Sequence, residues 1–239
     1  MLRQDMFVYY DTFFIGQYRR LQIRPGDTVL DAGAGFGDFS IIASSKVGSK
    51  GIVLAVEPSA LYYPLLLRNI DQNCLKNIIP LKVALSSKDG FASIEGRSLG
   101  VFEKTQAPSA TITRLLSDSG IDHFDVVKMD IEGSEGELFR DTSWTRGVRE
   151  LVMETHGATR DVVIPELLKL GYEINIFDGR SMIMNTLKSV MQHPAEFLRF
   201  ETFSHFMALR HTVSFPVRPP WIVAPSNDFL RIIHATRHA

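Results

Sequence analysis

The feature that most constrains this chain is a repeated unit: a short β-branched apolar run, a turn, then a segment with helical spacing. Apolar runs stand at 28–32 (TVLDA), 52–56 (IVLAV), 78–81, 125–129 (DVVKM) and 150–154 (ELVME). Most lack polar alternation, the pattern of strands covered on both faces of a parallel sheet. Helical spacing fills the intervals at 39–45, 60–73, 109–117, 135–139 and 162–170. Alternation of strand and helix means βαβ units, which build an open, doubly wound α/β sheet. No internal repeat or low-complexity tract interrupts the series, and 239 residues suit one such domain with extensions.

Composition narrows the function classes. Lys plus Arg number 26 against 27 Asp plus Glu, a formal net charge of −1, so no global field gathers nucleic acid or an anionic membrane. With 45% hydrophobic and 22% charged residues, disorder and fibrous structure are excluded. The single cysteine, Cys74, allows neither an internal disulfide nor a Cys-based zinc cluster. No apolar run approaches the ~18 residues of a membrane helix. An acid at Asp5 stands where a secretory signal needs a basic flank and an apolar run. A cytoplasmic protein with no nucleic-acid partner and no stable membrane insertion is expected.

Two regions depart from the alternation. Residues 1–23 carry Phe7, Tyr9, Tyr10, Phe13, Phe14 and Tyr18, read as an N-terminal helical extension across one sheet edge, before a domain over 24–239. Residues 178–220 form an insertion between two late strands, too short for a core of its own, and 221–224 (WIVA) reads as the strand that follows. Phe197, Phe200, Phe203 and Phe206 recur every third residue, so on a helix the stripe drifts by ~60° per step into a broad apolar face. That face is read as core or as a homodimer contact through 197–215, with a lid over the acceptor as the lesser reading. His193, His205, His211, His234 and His238 lack a tight metal spacing; Cys74 is expected in a helix core, and His123 in a solvent-facing turn.

The strongest local signal is Asp31-Ala32-Gly33-Ala34-Gly35-Phe36-Gly37, directly between a strand and a helix. Glycines allow a sharp turn and close approach to a ligand, and the helix presents free N–H groups at its N-terminus. Twenty residues on, Glu57 ends the second strand, where a carboxylate can grip ribose hydroxyls. Together these predict an adenosine-containing cofactor. The spacing is G-x-G-x-G and not the dinucleotide G-x-G-x-x-G, and Asp38 places an anion where two phosphates would sit. With Asp31 beside the loop, this environment suits a cationic amine and sulfonium, as in S-adenosylmethionine, with S-adenosylhomocysteine as product.

A second cluster follows the fourth strand: Asp130, Glu132, Glu135 and Glu137. Ligands of open α/β sheets lie beyond the carboxyl ends of the central strands, so Asp130 points into the same crevice as the glycine loop. Asp130 and Glu132 would share a face if the strand persists, while Glu135 and Glu137 favour a helix N-terminus through the dipole.

The chain resembles the FkbM-type methyltransferases, S-adenosylmethionine-dependent enzymes of the class I Rossmann-like group. The matching stretches are Pro25-Gly26-Asp27, 29–37 (VLDAGAGFG), Val56-Glu57-Pro58, Asn69 with Asn73, and Val83-Ala84-Leu85-Ser86. They continue with 124–135 (FDVVKMDIEGSE), Met153-Glu154-Thr155-His156 and 167–172 (LLKLGY), covering about residues 23–176. The resemblance implies a mostly parallel seven-stranded sheet with helices on both faces. It implies methylation, usually of a hydroxyl oxygen, with Asp31, Gly33, Ala34, Gly35, Gly37, Glu57, Pro58, Ala84 and Asp130 around the cofactor. Ala84 would border the adenine and Asp130 the methionine end or the acceptor, with Glu132 and Glu135 in support.

A hydroxyl acceptor on a small molecule, sugar or glycan needs a base. His156 is the first candidate, since neutral imidazole is abundant at pH 7, and Asp130 is the second. No metal is expected, although Asp130, Glu132 and His156 together carry ligands suited to Mg or Mn. The competing classes are an NAD-dependent oxidoreductase and a catalytically inactive binding module that keeps the fold.

Overall fold

The computed structural model describes residues 18, 21–98, 101–131, 134–155, 158–177, 191 and 231–237. Among them, strands β1 (Thr28–Ala32), β2 (Ile52–Val56), β3 (Ile78–Leu81), β7 (Val126–Met129), β8 (Glu150–Thr155), β9 (Glu173–Phe177) and β10 (Arg231–Thr236) form one sheet. Its order is β3-β2-β1-β7-β8-β10-β9. β3, β2, β1, β7 and β8 run parallel, and β10 is antiparallel to both its neighbours. A second sheet has the order β4-β6-β5, built from β4 (Ala84–Leu85), β5 (Gly90–Ser98) and β6 (Val101–Ala110).

The apolar runs are strands because both of their faces are covered. Leu30, Leu54, Val127, Leu151 and Ile233 pack into one core with Ile112, Leu115, Leu138, Val163 and Leu167. Those helical residues belong to α3 (Ile112–Ser119), α4 (Glu135–Leu138) and α5 (Thr159–Lys169). The neighbouring residues Val29, Val53, Val126, Val152 and Ile232 face a second core. There they meet Phe39, Ala43 and Val47 of α1 (Asp38–Val47) and Leu66 of α2 (Tyr63–Gln72). The sheet is doubly wound, as expected. Burying each such side chain is worth roughly 1.5–3 kcal/mol, which outweighs the weak helix bias of any one segment.

Several expectations need correction. The segment read as a helix over 109–117 begins at Ile112: Ser109 and Ala110 belong to β6, and Thr111 caps α3 by accepting the Arg114 N–H at 3.1 Å. Helix α2 starts at Tyr63 and not at residue 60, after Ser59 Oγ accepts the N–H groups of Leu61 and Tyr62. Cys74 lies beyond α2, exposed and at φ 53, so it is a turn residue and not packed core. The strand before Asp130 ends at Met129, so the condition for Asp130 and Glu132 to share a strand face is not met. Residues 221–224 and the phenylalanines of 197–215 lie outside the described residues; the described strand antiparallel to β8 is β10, which begins ten residues further along.

Candidate functional site

The glycine loop joins the carboxyl end of β1 to α1. Gly33 takes φ +74, and a Cβ there would stand 1.8 Å from the Asp130 carbonyl oxygen, so only glycine fits. The N–H groups of Gly33 and Ala34 both donate to Val56 O at 2.9 Å, fastening the loop to β2. Gly37 precedes α1 at φ 92, where a Cβ would press on Leu66. Gly35 differs: at φ +55 its missing Cβ would meet nothing within 4 Å. The loop is clamped at Gly33 and Gly37 and open at Gly35, a cradle with room for a ligand against its backbone.

Carboxylates surround this cradle. Asp31 is fully buried at the end of β1, accepts the Ser40 hydroxyl at 2.5 Å, and pairs with Lys128 Nζ at 3.2 Å. Asp38 is buried in the first turn of α1, the position where it was expected to oppose a pyrophosphate. Glu57, buried just past β2, accepts the Gly35 N–H at 2.7 Å and the Ser59 N–H at 2.8 Å. Burial pushes its carboxyl pKa up, and the two N–H donors and Lys128 only partly oppose that. Pro58 is half-buried beside it. Asp130 follows β7, half-buried, with its N–H on Ala32 O at 3.0 Å.

Two neighbours of the cluster were not singled out from sequence. Lys128 donates to Gly33 O at 2.6 Å, and its ammonium stands 5.8 Å from the centroid of the Tyr18 ring. A charged residue inside the otherwise apolar VVKM strand was the available signal. Tyr18 packs edge-on against Phe39 at 5.1 Å, against the face that carries α1. Burial pushes its phenol well up, with Asp130, Glu154, Asp38 and Asp31 adding to the effect, so its ring belongs to the same charged neighbourhood.

The remaining expected residues divide. Ala84 is buried in β4, beyond the end of β3, and pairs with Ser109. Glu135 and Glu137 both stand in the first turn of α4, as expected, Glu135 buried and Glu137 exposed. His156 and Glu132 lie outside the described residues, and so does the insertion at 178–220, apart from Met191. No group of three potential metal ligands occurs among the described residues. His234 is buried in β10 beside Glu150, at 3.8 Å, away from the glycine loop. His123 is half-exposed in a loop, as expected. A cavity of about 260 Å³ opens between α3, α4 and the loop after β4, and none of Asp31, Gly33, Gly35, Gly37 or Glu57 lines it.

A family model described as the methyltransferase FkbM domain matches residues 31–174, more than half of the chain. The chain belongs to that family. The cofactor of the FkbM domain is S-adenosylmethionine, which sets aside the nicotinamide alternative. The tRNA (adenine(58)-N(1))-methyltransferase catalytic subunit TRM61 of Yarrowia lipolytica is 34% identical over 107 residues, 44% of this chain and 27% of that protein. The chain thus spans about a quarter of the length of that curated relative. Among solved structures, the methyltransferase FkbM from Methylobacillus flagellatus is similar at TM-score 0.49 and 20% identity, covering 70% of this chain and 44% of that one. Aeropyrum pernix fibrillarin with natively bound S-adenosyl-L-methionine is similar at TM-score 0.48 and 14% identity, covering 90% and 69%. No helix among the described residues of this FkbM-domain chain is long and apolar enough to cross a membrane.

Proposed function

We propose that this chain transfers a methyl group from S-adenosylmethionine to a hydroxyl oxygen of a small molecule, sugar or glycan. The observation that carries the reading is the cradle at Gly35, open on one side and flanked by Glu57, Asp31 and Asp130. The sheet order supports one orientation of the ligand: Glu57 follows β2, on the side of β3 and Ala84, and Asp130 follows β7 on the other side of β1. The adenine lies toward Ala84 and Pro58, the ribose at Glu57, and the cationic amino-acid end between Asp31, the loop and Asp130. The acidic surroundings favour an ammonium and a sulfonium over a pyrophosphate.

S-adenosylmethionine supplies the electrophilic methyl when bound. The chain's residues align the acceptor and keep the crevice dry. His156, the residue after Thr155 in the sequence, takes the proton of the acceptor hydroxyl, and Asp130 is the alternative base.

The test begins with thermal melting in parallel wells of S-adenosylhomocysteine, S-adenosylmethionine and NAD. A ligand at 100 times its dissociation constant adds about 2.7 kcal/mol, a rise of roughly 5–10 °C for this size. Shifts with the two adenosyl sulfur ligands alone support the reading, and methyl-labelled turnover across a panel of hydroxyl acceptors completes it. Binding without turnover on any acceptor would leave the inactive binding module.

An RNA acceptor is the second reading, favoured by the similarity to a protein named as a tRNA methyltransferase. The net charge of −1 opposes it. RNA binding that weakens steeply with salt would establish it.

A further inference from the structure

Lys128 is a buried ammonium in the middle of the sheet, in the apolar VVKM run of β7. A buried charge persists only where partners replace its water. Burial alone would push its pKa down, but Asp31, Asp130 and Asp38 outweigh burial and hold it above the ordinary lysine value. Its hydrogen bond runs to Gly33 O at 2.6 Å, and its ion pair to Asp31 at 3.2 Å.

The peptide of Gly33 is consequently held on three sides. Its N–H is on Val56 O of β2, its carbonyl is on Lys128 of β7, and its α-carbon abuts the Asp130 carbonyl. Gly35, two residues on, faces open space. The contacts of Lys128 fall in the part of the crevice between the loop and Asp130, and Glu57 feels it only as a charge without contact.

We propose that Lys128 is a positioning residue for the amino-acid end of the cofactor, acting through the Gly33 peptide and the charge of Asp31. The inference rests on the cofactor reading above. Lys128 fixes the loop at its entry and holds the buried Asp31 carboxylate in place beside it. Without it the Gly33 carbonyl loses a charged donor, and the buried Asp31 carboxylate loses its ion-pair partner. Glu57, at the adenosine end, is held by the Gly35 and Ser59 N–H groups and makes no contact with Lys128.

The experiment is calorimetric titration of the purified chain with S-adenosylhomocysteine and with 5′-methylthioadenosine, which keeps the adenosine and thioether but has no amino acid. Lys128→Met is expected to weaken S-adenosylhomocysteine by about tenfold or more, the loss of one charged hydrogen bond. Methylthioadenosine should change by less than about twofold, since a lost contact shows only on the ligand that used it. Lys128→Arg should recover most of the difference. Equal weakening of both ligands, or of neither, overturns the proposal, because a purely structural lysine would not separate them. Should the Met variant fail to fold, Lys128→Gln, which keeps a donor for Gly33 without the charge, supports the proposal by a fallen affinity ratio and overturns it by an unchanged one. Wild-type chain that binds neither ligand would overturn the cofactor reading and this inference with it. Binding of both, with ratios unchanged in the variants, removes this inference alone.

Discussion

The carboxylate of Glu57 accepts the backbone N–H of Gly35 at 2.7 Å, tying the end of β2 to the open glycine of the loop. Its second oxygen accepts the Ser59 N–H at 2.8 Å, so the carboxylate organises two turns at once. An ionised oxygen can accept more than one hydrogen bond, which leaves capacity for the ribose hydroxyls assigned to it. The Glu57→Gln variant turns one of these oxygens into a donor facing a donor. A loss of about 1–3 kcal/mol in stability is expected, together with loss of S-adenosylhomocysteine binding, read by denaturant unfolding and calorimetry. Unchanged affinity in a folded variant would move the ribose away from Glu57.

The two loop glycines separate folding from binding. The Gly33→Ala variant places a Cβ 1.8 Å from the Asp130 carbonyl, and backbone cannot yield as a flexible side chain can. It is expected to cost about 3 kcal/mol or more, seen as a much lowered or lost cooperative melt. The Gly35→Ala variant meets no atom within 4 Å and carries only the strain of φ +55, about 1–2 kcal/mol. It should melt cooperatively and bind S-adenosylhomocysteine weakly, and Gly35→Val should not bind it at all. A Gly35→Val protein with wild-type affinity would place the cofactor elsewhere.

Acid sensitivity should trace in part to Glu150, buried at the start of β8. Burial pushes this carboxyl up, but the contact with His234, the Gln22 N–H at 2.6 Å and the charge of Arg149 outweigh it and hold it below the usual value. A depressed folded-state value means stability that is full above the unfolded value of about 4.3 and is lost as pH falls through the folded one. Melting curves across that window should fall less steeply for Glu150→Gln than for wild type, from a lower starting point near neutrality. Parallel acid limbs would remove Glu150 from the account.

The base assignment separates by kinetics. The His156→Ala variant is expected to keep S-adenosylhomocysteine affinity while turnover on an identified acceptor falls by about a hundredfold to ten-thousandfold. Asp130→Asn, by contrast, should weaken cofactor binding as well, because Asp130 is assigned to its amino-acid end. Full turnover in the His156 variant with loss in the Asp130 variant would transfer the base role to Asp130.

The central strands were legible because their signal is local. Five apolar runs are strands within a residue of where the β-branched clusters placed them. The hairpin of β5 and β6 was not legible: β5 alternates weakly, its Phe91 is 78% exposed, and polar runs such as EKTQ carry little period-two signal. β10 was missed because it joins the sheet between β8 and β9, and pairing with distant strands leaves no mark on neighbouring residues. Around the loop, the glycines and the carboxylates of Asp31, Glu57 and Asp130 were readable from spacing as candidates. The role of Lys128 was not, since its partner Gly33 is 95 positions away.

The sequence by itself determined the fold class, the glycine loop between strand and helix, and the cofactor chemistry. These follow from periodicity and residue type within short windows, where side-chain burial and backbone freedom act locally. Only the tertiary structure decided which glycine is clamped and which is open, and that a buried lysine joins β7 to the loop. Those facts depend on the parallel register of β1 with β2 and β7. Contacts between residues far apart in the chain arise when the sheet closes, and no local pattern encodes the distance at which they meet.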